Sequence, residues 1–269
     1  MKKALTIAGS DCIGGAGIQA DLKTFAAHGV YGMSVIVSVV VENTFHVRGM
    51  EDISPGMIEK QMDAVCEDIP PDAVKIGMLS SADCMHAVAG RLRDLRPRNV
   101  VIDPVMLAKN GWPLMGEDAV ETFIREIIPL AGLLTPNIPE AQKITGMEIN
   151  SPADMEEAAL RICGLGAKSV LVKGGHAEGD ALDILFCGRG FFRFSTERIH
   201  TKNTHGTGCT YSAAIAANLA LGMEPEEAVR SAKAYVTTAI RHGLDLGRGF
   251  GPLDHFYELY QKGLCKERR

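Results

Sequence analysis

Short apolar runs alternate with stretches of helical spacing along almost the whole chain, and this alternation points to βαβ units around a mainly parallel sheet. Ala4–Ala8 reads as a strand and Ile18–His28 as a helix, which Gly29 stops. Tyr31–Val41 is apolar on both faces and β-branched, so the pattern predicts a central buried strand. Ala73–Ile76, Val100–Ile102, Leu133–Thr135 and Ser169–Val172 read as further short strands. Between them, Ala82–Leu95, Glu117–Ile128, Pro139–Thr145 and Ala153–Leu165 have helical spacing. Ala181–Cys187 and Phe191–Ser195, joined by Gly188-Arg189-Gly190, predict a hairpin added to the sheet. The last third is helical, with Glu224–Arg241 amphipathic and a final helix near Leu253–Leu264. No repeat or linker divides the chain, so residues 1–269 are expected to form one α/β domain.

In open parallel sheets, ligands bind beyond the carboxyl ends of the strands. Four expected strand ends carry polar residues: Gly9-Ser10-Asp11, Glu42-Asn43-Thr44, Asp103-Pro104 and Lys173-Gly174-Gly175. Lys173 is either a point charge for a phosphate or a solvated lysine at a strand end. Asp103 either serves a metal through water or starts a turn. Asn137 and Glu140, three apart at a helix start, suit a hydrated Mg²⁺. They equally match the outline of a capping box. Met78 fits a pocket wall or ordinary core packing. Gly15-Ala16-Gly17-Ile18-Gln19-Ala20 matches the dinucleotide fingerprint GxGxxA, with Glu42 where a ribose-binding acid belongs. Asp11 in the same loop argues against an NAD enzyme, because it would repel a pyrophosphate.

The second glycine loop, Asn203-Thr204-His205-Gly206-Thr207-Gly208-Cys209-Thr210, directly precedes an apolar helix-forming run from Tyr211 to Leu221. Backbone N–H groups at such a helix start, with the helix dipole behind them, form an anion site. The same field is expected to favour the thiolate of Cys209. An anion cradle beside an activatable base suggests phosphoryl transfer.

Composition removes several alternatives. A formal net charge of −5 and a pI near 5.9 argue against nucleic acid or an anionic membrane as partner. Seven cysteines without a CxxC pair suit a reducing compartment. Lys2 and Lys3 precede too short an apolar run for a signal peptide, so the expected location is cytoplasmic. The uncharged run Asn203–Met223 contains too many polar and glycine residues for a membrane span. His28, His86 and His205 show no ligand spacing and are read as structural. Cys12, Cys66, Cys84, Cys163, Cys187 and Cys265 are read as packing residues or idle surface thiols.

Several of these segments, in this order, resemble the bacterial hydroxymethylpyrimidine/phosphomethylpyrimidine kinases of thiamine biosynthesis. They are Ala4–Asp11, Gly14–Thr24, Glu42-Asn43-Thr44, Lys75-Ile76-Gly77-Met78-Leu79, Asp103-Pro104-Val105-Met106, Thr135-Pro136-Asn137, Lys173-Gly174-Gly175-His176 and Thr204–Thr210. The resemblance runs from about Ala4 to Phe256. It departs at Cys12-Ile13, where Pro-Ser or Ser-Gly is more usual, and at Val39-Val40-Val41, which is more apolar than expected.

The resemblance implies a ribokinase-like three-layer α/β/α sandwich, usually a homodimer, that uses MgATP to phosphorylate an aminopyrimidine alcohol and then its monophosphate. It places Gly9, Asp21, Val40, Glu42, Met78 and Val105 around the pyrimidine. It gives Asp103, Asn137 and Glu140 to Mg²⁺ and the ATP phosphates, and Lys173 to the phosphate chain. Gly206, Thr207 and Gly208 become the anion hole, and Cys209 takes the position of the base. A pyridoxal kinase of the same scaffold is the nearest alternative, and Glu42-Asn43-Thr44 favours the pyrimidine branch. On composition, Ala108-Lys109-Asn110-Gly111 reads as a flap.

Overall fold

Side chains alternate across each strand, so every strand sends its residues to two different layers of helices. In β4 (Ala73–Ile76), Val74 and Ile76 join one core cluster, while Ala73 joins the other. The same split separates Val100 and Ile102 from Val101 in β5 (Val100–Ile102). The result is the expected α/β/α sandwich. The computed structural model describes residues 1–109, 111–175 and 180–264; Asn110 of the expected flap, His176 and Cys265 lie outside them.

Among the described residues the sheet has nine strands. With β1 (Lys3–Asp11), β2 (Tyr31–Glu42), β3 (Val47–Asp52), β6 (Leu133–Leu134), β7 (Val170–Lys173), β8 (Ala181–Phe186) and β9 (Phe191–Thr196), its order is β3-β2-β1-β4-β5-β6-β7-β8-β9. The strands from β2 to β7 in this order are parallel; β3 at one edge and the β8–β9 hairpin at the other are antiparallel.

Helices α1 (Gly17–Ala27), α7 (Thr207–Ala220) and α8 (Pro225–Arg241) cover one face. The other face carries α2 (Pro55–Asp68), α3 (Ala82–Leu95), α4 (Glu117–Thr122), α5 (Ile138–Thr145) and α6 (Pro152–Gly164). Among the described residues no helix is long and apolar enough to cross a membrane. The apolar run that includes Tyr211–Leu219 is instead the buried α7, packed on α1, α8 and the sheet.

Three expectations change. First, β2 is not central: only the short β3 lies outside it, and its end is uncovered at Val39 and Val41, which are 43% and 54% exposed. Second, α4 ends at Thr122, and the chain widens into a π turn over Phe123–Ile127 and a 3₁₀ turn over Ile128–Leu130. Third, the last helix starts only at Tyr257, because the Asp254 carboxylate accepts the Phe256 N–H and holds a turn there. Two elements, β3 and α2, lacked a clear signal. α2 buries only Ile58 and Met62 and is otherwise polar.

Phe25 is fully buried between α1 and the sheet. Phe25→Ala should cost about 3–5 kcal/mol of stability, read from urea unfolding.

Candidate active site

The carboxyl ends of the parallel strands lie along one rim of the sheet, and α7 begins at that rim. At the end of β1, the Asp11 carboxylate accepts the backbone N–H groups of Ile13 (2.8 Å), Gly15 (2.9 Å) and Ala16 (2.7 Å). The anion position before α1 is therefore filled by a side chain from within the chain. This is the physical reason the GxGxxA loop is no pyrophosphate cradle. His205, read as structural from the sequence, places Nε2 2.9 Å from the same carboxylate. Burial pushes the Asp11 carboxyl up, but the His205 and backbone hydrogen bonds outweigh it and hold the group at about 2.

Glu42, half-buried at the end of β2, completes this cluster. Asp11, Glu42 and His205 each place one ligand atom within 4.8 Å of the others. Burial and the Asp11 charge push the Glu42 carboxyl up to about 7, with His205 acting in the opposite direction. Sequence separation hid this trio, since 194 residues part Asp11 from His205.

Val40, Met78 and Val105 meet in one small apolar cluster beside Glu42's strand. A side chain at Gly9 would strike Met78, so the glycine lets β1 close the wall. Asp21 does not line this pocket. It is fully buried beneath the rim, where its Oδ2 accepts from Thr6 Oγ1 (2.6 Å) and Lys75 Nζ (2.8 Å). Lys75 alternates onto the α1 face of β4, so its ammonium reaches α1 only by being buried, and Asp21 is its counter-charge. Burial alone would lower the Lys75 pKa, but the Asp21 charge, with Cys209 and Asp103 behind it, keeps it raised.

At the far end of the rim, Asp103 Oδ1 accepts from Lys173 Nζ (2.6 Å) and Thr135 Oγ1 (3.1 Å). Lys173 is thus neither solvated nor free: burial opposes its charge, and Asp103 and Glu140 hold its pKa raised. Asn137 and Glu140 form the capping box in full, Glu140 N–H to Asn137 Oδ1 (2.9 Å) and Asn137 N–H to Glu140 Oε2 (2.8 Å). Burial pushes the Glu140 carboxyl up to about 7, although Lys173 and the backbone N–H groups of Asn137 and Met106 work against it. With their oxygens engaged, Asp103 and Glu140 suit a cation that keeps its own waters rather than one bound directly.

α7 starts at Gly206, with φ of 81° and no room for a side chain against the Gly15 carbonyl oxygen. The two glycine loops therefore touch backbone to backbone. Both the amide and the hydroxyl of Thr207 turn back to the Thr204 carbonyl. Among the described residues, that leaves the Gly208 and Cys209 amides as the unclaimed donors of the first turn. Gly208 faces the Asp103–Lys173 pair, where a Cβ would sit 3.2 Å from Asp103 Oδ2 and 3.6 Å from Lys173 Nζ. The Cys209 sulfur accepts the Gly17 N–H. Its pKa runs against the sequence expectation: burial, with Asp21 and Asp103, pushes the thiol up to about 11 despite Lys75. The helix dipole is outweighed by desolvation and two nearby carboxylates.

The family model described as phosphomethylpyrimidine kinase matches residues 11–254. A bifunctional thiamine biosynthesis protein of Geobacter sulfurreducens is 52% identical over 93% of this chain, which spans about half of that protein's length (51%). A hydroxymethylpyrimidine/phosphomethylpyrimidine kinase of Synechococcus elongatus is 49% identical, covering 96% of this chain and 98% of its own. Among solved structures, a Bacillus subtilis pyridoxal kinase in complex with ADP superimposes with a TM-score of 0.89 at 40% identity, over 95% of this chain and 98% of that one. A Clostridium difficile phosphomethylpyrimidine kinase gives 0.81 at 48% identity, over 89% and 100%. The chain belongs to the phosphomethylpyrimidine kinase family.

A half-buried thiol with a raised pKa alkylates slowly near neutrality. Iodoacetamide at pH 7.5 should label the exposed Cys12 well before Cys209, and the Cys209 rate should climb about tenfold per pH unit up to about pH 10. Mass spectrometry of the digested protein reads both rates.

Proposed function

We propose that this chain transfers the γ-phosphoryl group of ATP first to the hydroxymethyl oxygen of 4-amino-5-hydroxymethyl-2-methylpyrimidine and then to the phosphate of the resulting monophosphate, with Mg²⁺. The observation that carries the reading is the start of α7, where the Gly208 and Cys209 amides face the Asp103–Lys173 pair. Family membership fixes the reaction class around that arrangement.

Phosphoryl transfer leaves a protein mainly positioning and electrostatic work. The first-turn amides stabilise the equatorial oxygens as charge builds on them. Lys173, held at Asp103, brings a fixed positive charge beside them. Mg²⁺, when bound, neutralises phosphate charge, and Asp103 with Glu140 would hold it through its waters. Val40, Met78 and Val105 sandwich the apolar faces of the ring, and Glu42 reads its polar edge. Cys209 takes the hydroxymethyl proton in the first step. The second step has an ionised phosphate as nucleophile and needs no base.

The pyridoxal kinases among the structural relatives support a second reading, in which the alcohol is pyridoxal. We further propose a single catalytic domain acting as a homodimer in the cytoplasm, with the exposed Val39, Val41 and Met50 of the β2–β3 edge as the apolar surface that a second copy covers.

A product assay with MgATP, offering the pyrimidine alcohol, its monophosphate and pyridoxal in parallel, should show turnover of the first two. Turnover of pyridoxal alone overturns the reading. Cys209→Ala should lose at least about a hundredfold on the alcohol and less than about tenfold on the monophosphate. Because the thiol starts near 11, kcat on the alcohol should keep rising with pH to about 10 in the wild type and be flat in the variant.

A further inference from the structure

The Asp11–Glu42–His205 cluster faces the expected pyrimidine position, yet only Glu42 has a part in the reaction as described above. Asp11 has a full set of donors without Glu42. Its Oδ1 accepts from Ile13, and its Oδ2 accepts from Gly15, Ala16 and His205. A carboxylate held by four donors stays ionised. Glu42 lies within 4.8 Å of it at the end of the neighbouring parallel strand. Two carboxyl groups this close cannot both ionise freely, so the proton the pair retains resides on the one with fewer donors.

The pocket beside Glu42 is lined by Asn43, Thr44, Phe45, Ala108, Lys109, His205 and Phe250. The charged and titratable groups around Glu42 are therefore Asp11 from β1, His205 from the loop before α7 and Lys109 from the loop after β5. The Cys12 thiol donates to the Glu42 carbonyl (3.1 Å). Asp11 favours the protonated acid; Lys109 and a charged His205 favour the carboxylate.

We infer that Asp11 is a positioning residue that keeps a proton on Glu42, so that Glu42 meets the aminopyrimidine as a neutral acid and carries the proton for its ring nitrogen. An amine beside a ring nitrogen offers a donor next to an acceptor. A carboxylic acid answers with an acceptor next to a donor, whereas a carboxylate offers only acceptors. Asp11 keeps its four other donors when that proton turns to the ligand. Recognition then selects the amidine edge by proton inventory as well as by shape, and a ring without that edge gains nothing from the proton.

This inference rests on the pyrimidine reading, and calorimetry separates the two. The pyrimidine alcohol is titrated into the protein without ATP, from pH 6 to 9, in buffers of different ionisation enthalpy. With Glu42 titrating at about 7, the wild type should take up about one proton per ligand at pH 8.5, and its Kd should rise about tenfold per pH unit above about 7. Glu42→Gln keeps a donor beside an acceptor and cannot titrate. It should bind with no Glu42 proton uptake and a Kd that is flat over the range. Asp11→Asn removes the neighbouring charge, so Glu42 should fall towards the usual carboxylate range and proton uptake should already appear at about pH 6.5. Should Asp11→Asn fail to fold, Glu42→Gln decides alone. Wild-type binding without proton uptake at any pH overturns the inference and leaves the kinase reading standing, as does uptake that survives in Glu42→Gln. A wild type that neither binds nor phosphorylates the pyrimidine overturns the kinase reading itself.

Discussion

One carboxylate, Asp11, holds together the two loops on which the site is built. It takes the amides of the first glycine loop, which fixes the start of α1, and it takes the imidazole of the second, just before α7. Gly206 can then rest against Gly15 with no side chain between them. Everything downstream is referenced to that junction: the Gly17 N–H on the Cys209 sulfur, the first-turn amides, and the distance from the thiol to the proposed pyrimidine wall. An anion bound inside the chain at one helix start leaves the second helix start as the proposed phosphate site.

Electrically, the rim is a row of buried charges in matched pairs. Lys75 with Asp21 and Lys173 with Asp103 each place an ammonium against a carboxylate under 3 Å away. Neither pair is evidence of great stability, because desolvation offsets most of the attraction. Their contribution is a fixed field. Positive charge lies under the sulfur and beside the first-turn amides without being mobile in solvent, so little reorganisation would accompany charge movement in the proposed transfer.

Much of the architecture was legible because strand and helix periods differ, and the buried strands β4, β5 and β7 fell close to where apolar runs and turn residues place them. β2 was misjudged as central because its β-branched run looks the same whether or not a neighbour covers its end. α2 was obscure because it buries two residues and exposes charges. Single residues of the site were legible where a backbone rule singles them out, as at Gly206 and the Asn137–Glu140 cap. Relations among distant residues were not: His205 had no reason to be read beside Asp11, nor Lys75 as the partner of Asp21. The thiol's raised pKa shows why local logic falls short. The helix start is visible in the sequence, and the two carboxylates and the desolvation that outweigh it are not.

The alanines of α7 set a length scale. Ala213, Ala214, Ala216, Ala217 and Ala220 are all buried, and side chains that short let the helix settle close onto the sheet. The helix works as a spacer whose thickness is a methyl group, carrying the thiol and the amides at its tip. Exchanging methyls for larger groups along its buried length would lift the tip away from the strand ends and lengthen the gap that the proposed phosphoryl transfer crosses. The reach of the reaction is thereby written into packing well below the site, where a lineage could retune acceptor size without altering any residue that touches a ligand.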